Sequence, residues 1–323
     1  MTKPSVLIIA HRRPRYLKSV LESVLSQFPS SLYISIDGAR ETTLGDVELV
    51  KECQELATEF QMKSEIKIYT RFNSNNLGSA ANVIQSIDWF FDNEESGVVL
   101  EEDCVPHPTF LDYMEQNLRC FEMEQRVWLV SGYRPEIDNL TGEPCLVHLP
   151  MNWGWGTWAK KWELIRSALL ESAFLQPIYL LPLASVEDVF WNIGARRSLK
   201  GFVDAWDTPL AFAMWKYDKL TVIPPKNLIS NIGTDNLSLN TSKTSKFLET
   251  ETYAWGPSIK NTDTSSFNYS EIQENDKLLA TEMIGINWKH RFLPLIKYSF
   301  QMIFHRNRGR GNLKDRLEGI GKK

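Results

Sequence analysis

The stretch GVVLEEDCVP, residues 97–106, passes from an apolar run into three consecutive carboxylates. Residues 98–100 are typical of a buried strand in a parallel sheet, which is apolar on both faces. Ligands of open α/β sheets bind outside the carboxyl ends of the strands, so the acids indicate a site for a divalent cation and a phosphate-bearing ligand. For an isolated triplet, a solvated acidic turn is the favoured interpretation, because buried carboxylates need positive partners.

Strand-like and helix-like segments alternate on both sides of this stretch. Apolar runs at residues 6–10, 32–36, 66–69 and 127–130 are typical of strands, and apolar residues at helical spacing lie between them. The order is therefore β-α-β-α-β-α-β-α-β with short connections. It predicts an α/β fold with a doubly wound, mostly parallel sheet.

Polar residues follow each of the first four predicted strands, and in a parallel sheet these four ends meet at one edge. They are His11, Arg12 and Arg13 after the first strand, Asp37 after the second, Arg71 and Asn76 after the third, and Glu101, Glu102 and Asp103 after the fourth. Four such groups at one edge are harder to explain by solvation than one. Together they favour a binding site over a solvated turn.

The loop after the first strand argues against several phosphate-binding folds. No G-x-G-x-x-G follows that strand, which disfavours a dinucleotide-binding fold, and no G-x-x-x-x-G-K-[ST] occurs, which excludes a P-loop. A nucleotidyltransferase would place a glycine-rich loop where this chain has His-Arg-Arg-Pro. Without a glycine cradle a pyrophosphate needs another source of positive charge, and a Mg²⁺ or Mn²⁺ ion held by Asp103 would supply it.

The second half of the chain is rich in tryptophan. Seven of the eleven Trp lie between residues 153 and 215, and aromatic residues either pack in cores or stack on sugar rings. Residues 152–158, Asn-Trp-Gly-Trp-Gly-Thr-Trp, are interpreted as a substrate lid with glycine hinges or as an aromatic core segment. Further along, the pattern predicts a helix at 207–217, a strand at 220–223 and a polar linker at 256–275.

Composition and charge narrow the functional class. A net charge of −4 over 323 residues does not favour nucleic-acid binding. Residues 289–323, by contrast, carry ten Lys or Arg against two acids and mix them with Phe, Leu and Ile. This suits a surface helix on an anionic membrane, or else a helix packed on the domain followed by a solvated basic tail. Four scattered cysteines and the lack of a signal-like first segment predict a cytoplasmic protein.

Several short motifs, taken in order, resemble one enzyme family. They are Arg13-Pro14 with the helix after it, Ser35-Ile36-Asp37-Gly38, Asn76-Leu77-Gly78, Glu101-Glu102-Asp103, Trp153-Gly154-Trp155-Gly156-Thr157-Trp158, Ala205-Trp206-Asp207 and the segment 225–233. Over residues 4–242 the chain resembles the GT-A-fold nucleotide-sugar glycosyltransferases. It looks closest to bacterial relatives of the Golgi α-mannosyl-glycoprotein N-acetylglucosaminyltransferase. The order and spacing of the motifs carry the resemblance, since each motif alone is weak.

The resemblance implies a role for each matching residue. Asp103 would contact the metal, and Glu101 would support metal-bound water. Glu102 would face the ribose, Asp37 would bind the base, and Arg13 would lie near the base or phosphates. The nucleotide-sugar site would be completed by Arg71, Asn76 and Gly78. Asp207 would be the general base, although its position before a helical pattern also suits an N-cap. The alternative base is the pair Glu187-Asp188, and the acceptor side or lid would be Trp153, Gly154, Trp155, Gly156 and Trp158.

The implied activity is a metal-dependent, inverting sugar transfer from a nucleoside diphosphate, with UDP favoured, to a glycan or lipid-linked acceptor in bacterial polysaccharide or lipopolysaccharide synthesis. Mn²⁺ or Mg²⁺ is the implied cofactor, and Asn240 replaces a late His that relatives use as a metal ligand. Residues 1–250 would form the catalytic domain, with a nucleotide-sugar half (1–130) and an acceptor half (131–250), and residues 251–323 a linker and basic extension. The rival interpretations are a non-catalytic sugar-nucleotide or glycan-binding protein and a sugar-phosphate nucleotidyltransferase.

Overall fold

The structure, a computed structural model, describes residues 2–141, 145–171, 186–233, 250–256, 268–283 and 313–320. Its strands are β1 (Ser5–Ala10), β2 (Leu32–Ile36), β3 (Ile68–Phe72), β4 (Ser96–Glu101), β5 (Cys104–Pro106), β6 (Val127–Ser131), β7 (Cys145–Val147), β8 (Trp155–Trp158), β9 (Leu220–Ile223) and β10 (Ile229–Asn231). Its helices are α1 (Pro14–Leu25), α2 (Asp46–Lys63), α3 (Ser79–Phe91), α4 (Phe110–Phe121), α5 (Ala159–Leu170), α6 (Val186–Leu199), α7 (Asp207–Lys216), α8 (Tyr269–Leu278) and α9 (Leu313–Ile320).

Within the described residues, eight strands form one sheet in the order β3-β2-β1-β4-β8-β6-β9-β7. β1 pairs in parallel with β2 and β4, β2 pairs in parallel with β3, and β6 pairs in parallel with β9. β8 is antiparallel to both β4 and β6, and β7 is antiparallel to β9. Six strands therefore run in the same direction, and their carboxyl ends lie at the same edge of the sheet.

Helices cover both faces of the sheet because its strands are apolar on both faces. In β1, Val6 and Ile8 belong to the core formed with α1, α2 and α4, whereas Leu7 and Ile9 belong to the core formed with α3, α5 and α7. All four side chains are almost completely buried. The predicted fold class, an α/β fold with a doubly wound and mostly parallel sheet, is confirmed.

β8 lies in the centre of the sheet rather than over a cavity. Trp155, Gly156 and Trp158 lie between β4 and β6, and both tryptophans are buried. The carbonyl of Gly154, just before β8, accepts a hydrogen bond from the N–H of Gly132 at 2.6 Å. The prediction of a lid with glycine hinges is wrong for this segment, because a strand paired on both sides cannot swing. The alternative interpretation, an aromatic core segment, is correct for Trp155 and Trp158, whereas Trp153, which precedes the strand, is only half-buried.

The predicted linker at 256–275 contains a helix where the structure describes it. α8 packs on β7 and continues as a π-helical turn, Leu279–Met283. Ile272 and Asn275 of α8 are buried. The side-chain amide of Asn275 both donates to the carbonyl of Thr141 and accepts from its N–H, which satisfies a buried polar group. Polar composition therefore misled the prediction, since this polar residue is part of the core.

Two predictions fall mostly outside the described residues. Asn240, predicted as a metal ligand, is not among the described residues, and of the basic extension only α9 is described. α9 buries Leu313 and Leu317 in the core that also contains α3. Among the helices that the structure describes, none is long and apolar enough to cross a membrane.

Candidate active site

A polar cavity of about 390 Å³ opens at the carboxyl ends of β1, β2 and β4. Its opposite wall includes the segment 204–207, where α7 begins. The titratable residues of its lining are His11, Arg12, Arg13, Arg40, Asp37, Glu101, Glu102, Asp103, Asp204 and Asp207. The polar strand ends of the sequence therefore meet around one space, which is called the polar cavity below.

Arg13 ties the loop after β1 to the acidic triplet. Its Nε donates to Glu102 Oε1 at 2.6 Å, and its Nη2 lies 2.8 Å from Asp103 Oδ2. The N–H of His11 donates to the other oxygen of Glu102 at 2.8 Å. Burial alone would lower the pKa of Arg13, but the two carboxylates raise it above its ordinary value. Arg13 is thus a fixed positive charge in the cavity wall, and both oxygens of Glu102 are engaged in holding the loop.

Asp46 holds the two other arginines of the polar cavity. This residue begins α2 and is completely buried. It accepts from Arg12 Nη1 at 2.8 Å and from the backbone and guanidinium of Arg40 at 2.8–3.0 Å. Burial alone would raise the pKa of Asp46, but the hydrogen bonds and charge of Arg40, together with the nearby His11, hold it well below its usual range. One side of the cavity therefore carries three positioned guanidinium groups, which is a suitable setting for an anion.

Asp37, at the end of β2, anchors the loop that follows β3. Its Oδ1 accepts from the N–H groups of Gly38 and Leu77 at 3.0 and 2.9 Å. Its Oδ2 accepts from Asn76 Nδ2 at 2.9 Å and from the N–H of Gly78 at 3.1 Å. Burial raises the pKa of Asp37, and these bonds oppose the rise. Both oxygens are occupied by the chain's own donors, so a contact between Asp37 and a nucleotide base would require one of these bonds to be exchanged.

The N-terminus of α3 is closed by residues from distant parts of the chain. Asp204 accepts from the N–H groups of Ser79 and Ala80 at 2.9 and 3.2 Å. Arg316 of α9 lies 3.2 Å from Asp204 and donates to the carbonyl of Leu77. A carboxylate at this position satisfies free N–H groups and complements the helix dipole. The rim of the polar cavity is thereby fixed by α3, the segment before α7, and α9.

Glu101 differs from the other acids of the polar cavity because it has no hydrogen-bond partner among the described residues. Burial and repulsion from Asp103 raise the pKa of Glu101 to about 8, and Asp207 adds to the repulsion although Arg13 opposes it. An acid in this environment carries a proton near neutral pH unless positive charge enters the cavity. Glu101 is therefore the acid best placed to respond to a cation.

Asp103 directly precedes β5, which pairs with β10 in a small antiparallel sheet. The N–H of Ile232 donates to its carbonyl at 2.9 Å, and the N–H of Gly233 donates to Asn231 Oδ1 at the same distance. A Cβ on Gly233 would lie 2.2 Å from Asp103 Oδ2, so no other residue fits there without displacing the carboxylate. Burial raises the pKa of Asp103, and Arg13 opposes the rise. The backbone of Asp103 is therefore held by Ile232, and its carboxylate lies close against Gly233.

Asp207 is the first residue of α7, and its N-cap is Trp206. Asp207 is therefore one residue past the N-cap position that the alternative interpretation gave it. The Oδ1 of Asp207 accepts from the neighbouring N–H of Thr208 at 2.8 Å. Its Oδ2 has no partner within the described part of the chain. The Asp207 side chain is exposed to water where it faces the cavities, and desolvation by the surrounding protein raises the pKa of its carboxyl group. Asp207 is consequently a carboxylate with one open oxygen and increased basicity.

A second cavity, of about 550 Å³, meets the first one. Asn152, Trp153 and Asp207 line both. The walls of the second cavity are mostly apolar and include the aromatic residues Tyr133, Phe190 and Trp191, so it is called the aromatic cavity below. Asp207 thus lies where a polar space and an apolar space join.

Most residues predicted from sequence line the polar cavity: Arg13, Asp37, Asn76, Gly78, Glu101, Glu102, Asp103, Trp153 and Asp207. Arg71 does not, because its guanidinium donates to the carbonyl and the side chain of Gln85 on α3 at 2.6 and 3.1 Å. Asp188 lines neither cavity, and the side chain of Glu187 lies outside the described residues. The geometry therefore gives no support to this pair as the base.

No site role was predicted from the sequence for several residues of the polar cavity, namely Arg40, Asn152, Asp204 and Asn231. Asp204 had a usable signal, because it lies one residue before the Ala-Trp-Asp motif. The hydrogen bonds to Asp46 hold Arg40 at the cavity, and the pairing of β10 with β5 places Asn231 there. Asn231 lies in the matched segment 225–233 but received no role there, and the arrangement that brings Arg40 to Asp46 leaves no pattern in the sequence.

Comparison with known proteins finds solved structures of low overall similarity. No protein-family model matches the chain. No curated protein matches it either. Among solved structures, residues 1–349 of S. aureus TarS match with a TM-score of 0.36 and 11% identity over 71% of this chain and 60% of that one. The apo-form glycosyltransferase GlyE of Streptococcus pneumoniae TIGR4 gives 0.36 and 14% over 69% of this chain and 45% of that one.

A UDP-glucose pyrophosphorylase in complex with UDP-glucose gives a TM-score of 0.37 and 9% identity over 69% of this chain and 90% of that one. Two of these proteins are named as different enzymes, a glycosyltransferase and a pyrophosphorylase. At such scores and identities the likenesses say nothing about the activity of this chain. The function is therefore inferred from the geometry of the two cavities.

Proposed function

We propose that the protein transfers a sugar, with inversion, from a nucleoside-diphosphate donor to a hydroxyl group of a glycan or lipid-linked acceptor. The observation that carries this proposal is the placement of carboxylates on two sides of one cavity. Glu101 and Asp103 lie at the end of β4, and Asp207 lies at the start of α7. Such a transfer needs one group for the leaving diphosphate and a separate group for the acceptor proton. Asp207 also opens onto the aromatic cavity, through which an acceptor would reach it.

The nucleotide and diphosphate of the donor would bind in the polar cavity. Its volume of about 390 Å³ is typical of small-molecule sites. Arg12, Arg13 and Arg40 offer positioned positive charge, and guanidinium groups bind phosphate oxygens well. Asp37 and Asn76 would contact the base. UDP is favoured among nucleotides by the family resemblance alone.

In the proposed transfer, the acceptor oxygen attacks the anomeric carbon from the side opposite the leaving group. A bond forms between that oxygen and the anomeric carbon, and the bond from the anomeric carbon to the diphosphate oxygen breaks. The nucleoside diphosphate leaves with the electron pair of the broken bond. Asp207 takes the proton of the acceptor hydroxyl, and its raised pKa makes it a more effective base. A single displacement of this kind inverts the configuration of the sugar.

The acidic end of the polar cavity fits a Mn²⁺ or Mg²⁺ ion. Both ions prefer oxygen ligands, and Glu101 offers a carboxylate without a partner. Asp103 would be the second ligand and would share its carboxylate with Arg13. The described residues contain no cluster of three or more His, Cys, Asp or Glu that could hold an ion, so donor oxygens would complete the ligand set. When bound, the ion supplies charge neutralisation to the leaving diphosphate.

Release of nucleoside diphosphate tests the proposed reaction. Purified protein is incubated with Mn²⁺ and each of a panel of sugar nucleotides, and free UDP or GDP is measured together with the melting temperature. We expect one donor to raise the melting temperature and to be cleaved. No cleavage and no shift with any donor refutes the proposal. Binding without cleavage identifies a binding protein, and consumption of a nucleoside triphosphate with a sugar 1-phosphate identifies a nucleotidyltransferase.

The metal part of the proposal has its own test in Glu101→Gln. This substitution keeps the shape of the side chain and removes the charge. We expect the donor-induced rise in melting temperature to lose its dependence on Mn²⁺. Glu22→Gln is the matched control, because Glu22 is an exposed residue of α1 that lines neither cavity. An unchanged Mn²⁺ dependence in Glu101→Gln would remove Glu101 from the ligand set.

The proposed setting is polysaccharide or lipopolysaccharide assembly on the cytoplasmic side of a membrane. The family resemblance and the basic, apolar composition of residues 289–323 support it. Co-sedimentation of the full chain with anionic phospholipid vesicles measures whether the protein binds a membrane. We expect binding that weakens as salt is raised.

A further inference from the structure

The aromatic cavity differs in chemistry from the polar cavity beside it. Among the described residues, its lining contains two charged side chains, Asp207 and Arg197, whereas nine charged side chains line the polar cavity. Its volume of about 550 Å³ is also the larger of the two. A space of this size with apolar walls and few polar groups is typical of a site for an organic ligand that is mostly apolar.

Aromatic rings shape this cavity at two places. Tyr133 and Trp153 meet edge to face with ring centroids 4.6 Å apart, and Phe190 and Trp191 do so at 4.9 Å. Each ring is thereby held by another ring, which favours a preformed wall. The cavity also borders a backbone in an unusual conformation, since Met151 has a φ of 38°. Non-glycine residues in this region are concentrated at binding sites.

The close approach of α6 and α7 places this wall beside Asp207. Gly194 of α6 faces Thr208 of α7, and a Cβ on Gly194 would lie 2.3 Å from the Thr208 methyl carbon. Any larger residue at 194 would push the two helices apart. Because Thr208 follows Asp207 directly, the spacing of the helices also sets the distance from the aromatic wall to the candidate base.

The polar groups of the aromatic cavity are few, and one of them is unsatisfied. Ser198 lines the cavity, and its Oγ is buried without a hydrogen-bond partner in the described part of the chain. A buried hydroxyl without a partner is rare and indicates a place for a ligand's polar group. A bare saccharide, by contrast, would bring more hydroxyl groups than these mostly apolar walls can bond, which is unfavourable.

We propose that the aromatic cavity binds the apolar aglycone, alkyl or aryl, of an acceptor glycoside whose free hydroxyl meets Asp207. This inference rests on the proposed sugar transfer and names its acceptor class. The aglycone lies against Tyr133, Phe190 and Trp191, and Ser198 bonds a polar group of the acceptor. The hydroxyl proton passes to Asp207 as described for the transfer, so that no further reactant is needed.

A series of glycosides with one sugar and different aglycones tests this acceptor class. Methyl, hexyl, octyl and phenyl glycosides are titrated into the full chain below their micelle-forming concentrations, and binding is measured by calorimetry and Trp fluorescence. We expect Kd to fall roughly fourfold for each methylene group that becomes buried. A phenyl glycoside that binds better than the hexyl one assigns the cavity to aryl aglycones, and the reverse order to alkyl aglycones. Equal affinity for the methyl and octyl compounds, or no binding by any of them, overturns the proposal.

Variants of the wall locate the binding. Phe190→Ala removes an aromatic face, and Val203→Phe fills the cavity from the segment before α7. We expect each to weaken octyl glycoside binding at least tenfold. Leu164→Ala on α5 is the matched control, because Leu164 is an exposed apolar residue outside both cavities. Octyl glycoside binding that survives in both wall variants places the aglycone elsewhere and overturns the proposal.

Donor cleavage separates this inference from the proposed function. Sugar-nucleotide cleavage with Mn²⁺ in water requires no aglycone, and retention of donor binding in Phe190→Ala shows that the variant is folded. If cleavage occurs but the octyl compound has no advantage, the acceptor class is wrong and the transferase stands. If the octyl compound binds but no donor is bound or cleaved, the proposed function fails and the aromatic cavity remains an apolar binding site.

Discussion

The polar and aromatic cavities meet at Asp207 but differ in how their polar groups are used. In the polar cavity nearly every charge has a partner from the chain, as shown by Arg13 between Glu102 and Asp103 and by Asp37 with both oxygens occupied. In the aromatic cavity shape is set by rings, and the Oγ of Ser198 has no partner among the described residues. Preorganised charge suits a ligand that brings phosphates, and preorganised apolar walls suit a ligand that brings little charge.

Different parts of the chain's C-terminal region support the two cavities. α9 reaches the rim of the polar cavity, where Arg316 pairs with Asp204. α8 supports the aromatic cavity, because its π-helical turn carries Met283 into the wall and Asp276 holds His148. The cavities can therefore be perturbed separately, and four predictions follow in order of expected effect.

Asp207→Asn tests the point at which the cavities join. Removing the base should lower the rate of sugar transfer by about 10²- to 10⁴-fold, while donor binding in the polar cavity stays unchanged. The assay is transfer at saturating donor together with donor-induced thermal shift. Asp188→Asn is the control, because Asp188 lines neither cavity. A loss of activity in Asp188→Asn with full activity in Asp207→Asn would reverse the assignment of the base.

Arg13→Met tests whether the polar cavity depends on its internal charge pairs. The substitution leaves Glu102 and Asp103 buried without their cation, which should lower the free energy of unfolding by about 3–5 kcal/mol. Urea unfolding at neutral pH measures the loss. Arg15→Met is the matched control, since Arg15 is an exposed residue of α1, two positions after Arg13. Similar losses in both variants would show that the pairs with Glu102 and Asp103 contribute little.

The two cavities also differ in how far sequence could predict them. The polar cavity follows from strand order, because polar residues after β1, β2 and β4 must meet at one edge once the strands are parallel. Arg71 was predicted to follow a strand but is the fourth residue of β3, and its guanidinium bonds Gln85 on α3, because long side chains can turn away from the edge. Position at a strand end is therefore predictable, whereas the direction of a side chain is not.

The aromatic cavity could not be predicted in the same way. Its walls come from the segment around Trp153, from α6, from the start of α7 and from Met283, which are far apart in sequence. The Trp-rich stretch at 152–158 drew attention to the region, but Trp155 and Trp158 belong to a buried central strand. An antiparallel strand inserted between two parallel ones leaves no periodic signal, so a core strand and a lid look alike in the sequence.

The pH dependence of the free energy of unfolding in His148→Gln tests whether the bond between His148 and Asp276 of α8 stabilises the region of the aromatic cavity. His148 bonds Asp276 at 2.6 Å and Asp218 at 2.9 Å. Burial alone would lower the pKa of His148, but Asp276 and Asp218 raise it above 6.5. The folded state therefore binds this proton more tightly than the unfolded state does. The resulting stabilisation is complete below pH 6.5 and is lost as pH rises through the folded-state pKa.

We expect His148→Gln to lower the free energy of unfolding by about 2 kcal/mol in mild acid and by less as pH rises. Denaturant unfolding of wild type and variant from pH 5.5 to 9 measures the difference. His107→Gln is the control, because His107 makes no ion pair within the described residues. A difference that stays constant with pH would mean that His148 does not gain a proton between the two carboxylates.

Arg316→Gln should have the smallest effect and tests the support of the polar cavity by α9. Arg316 and Asp204 are only partly buried, so loss of their ion pair should lower the free energy of unfolding by about 0.5–1 kcal/mol. Asp204 would still accept from Ser79 and Ala80, so α3 would keep its cap. Donor affinity should weaken slightly, whereas octyl glycoside affinity should not change. Lys314→Gln, on the exposed side of α9, is the control. An equal loss of affinity for donor and glycoside would show that α9 supports both cavities, and the separation drawn between them would then fail.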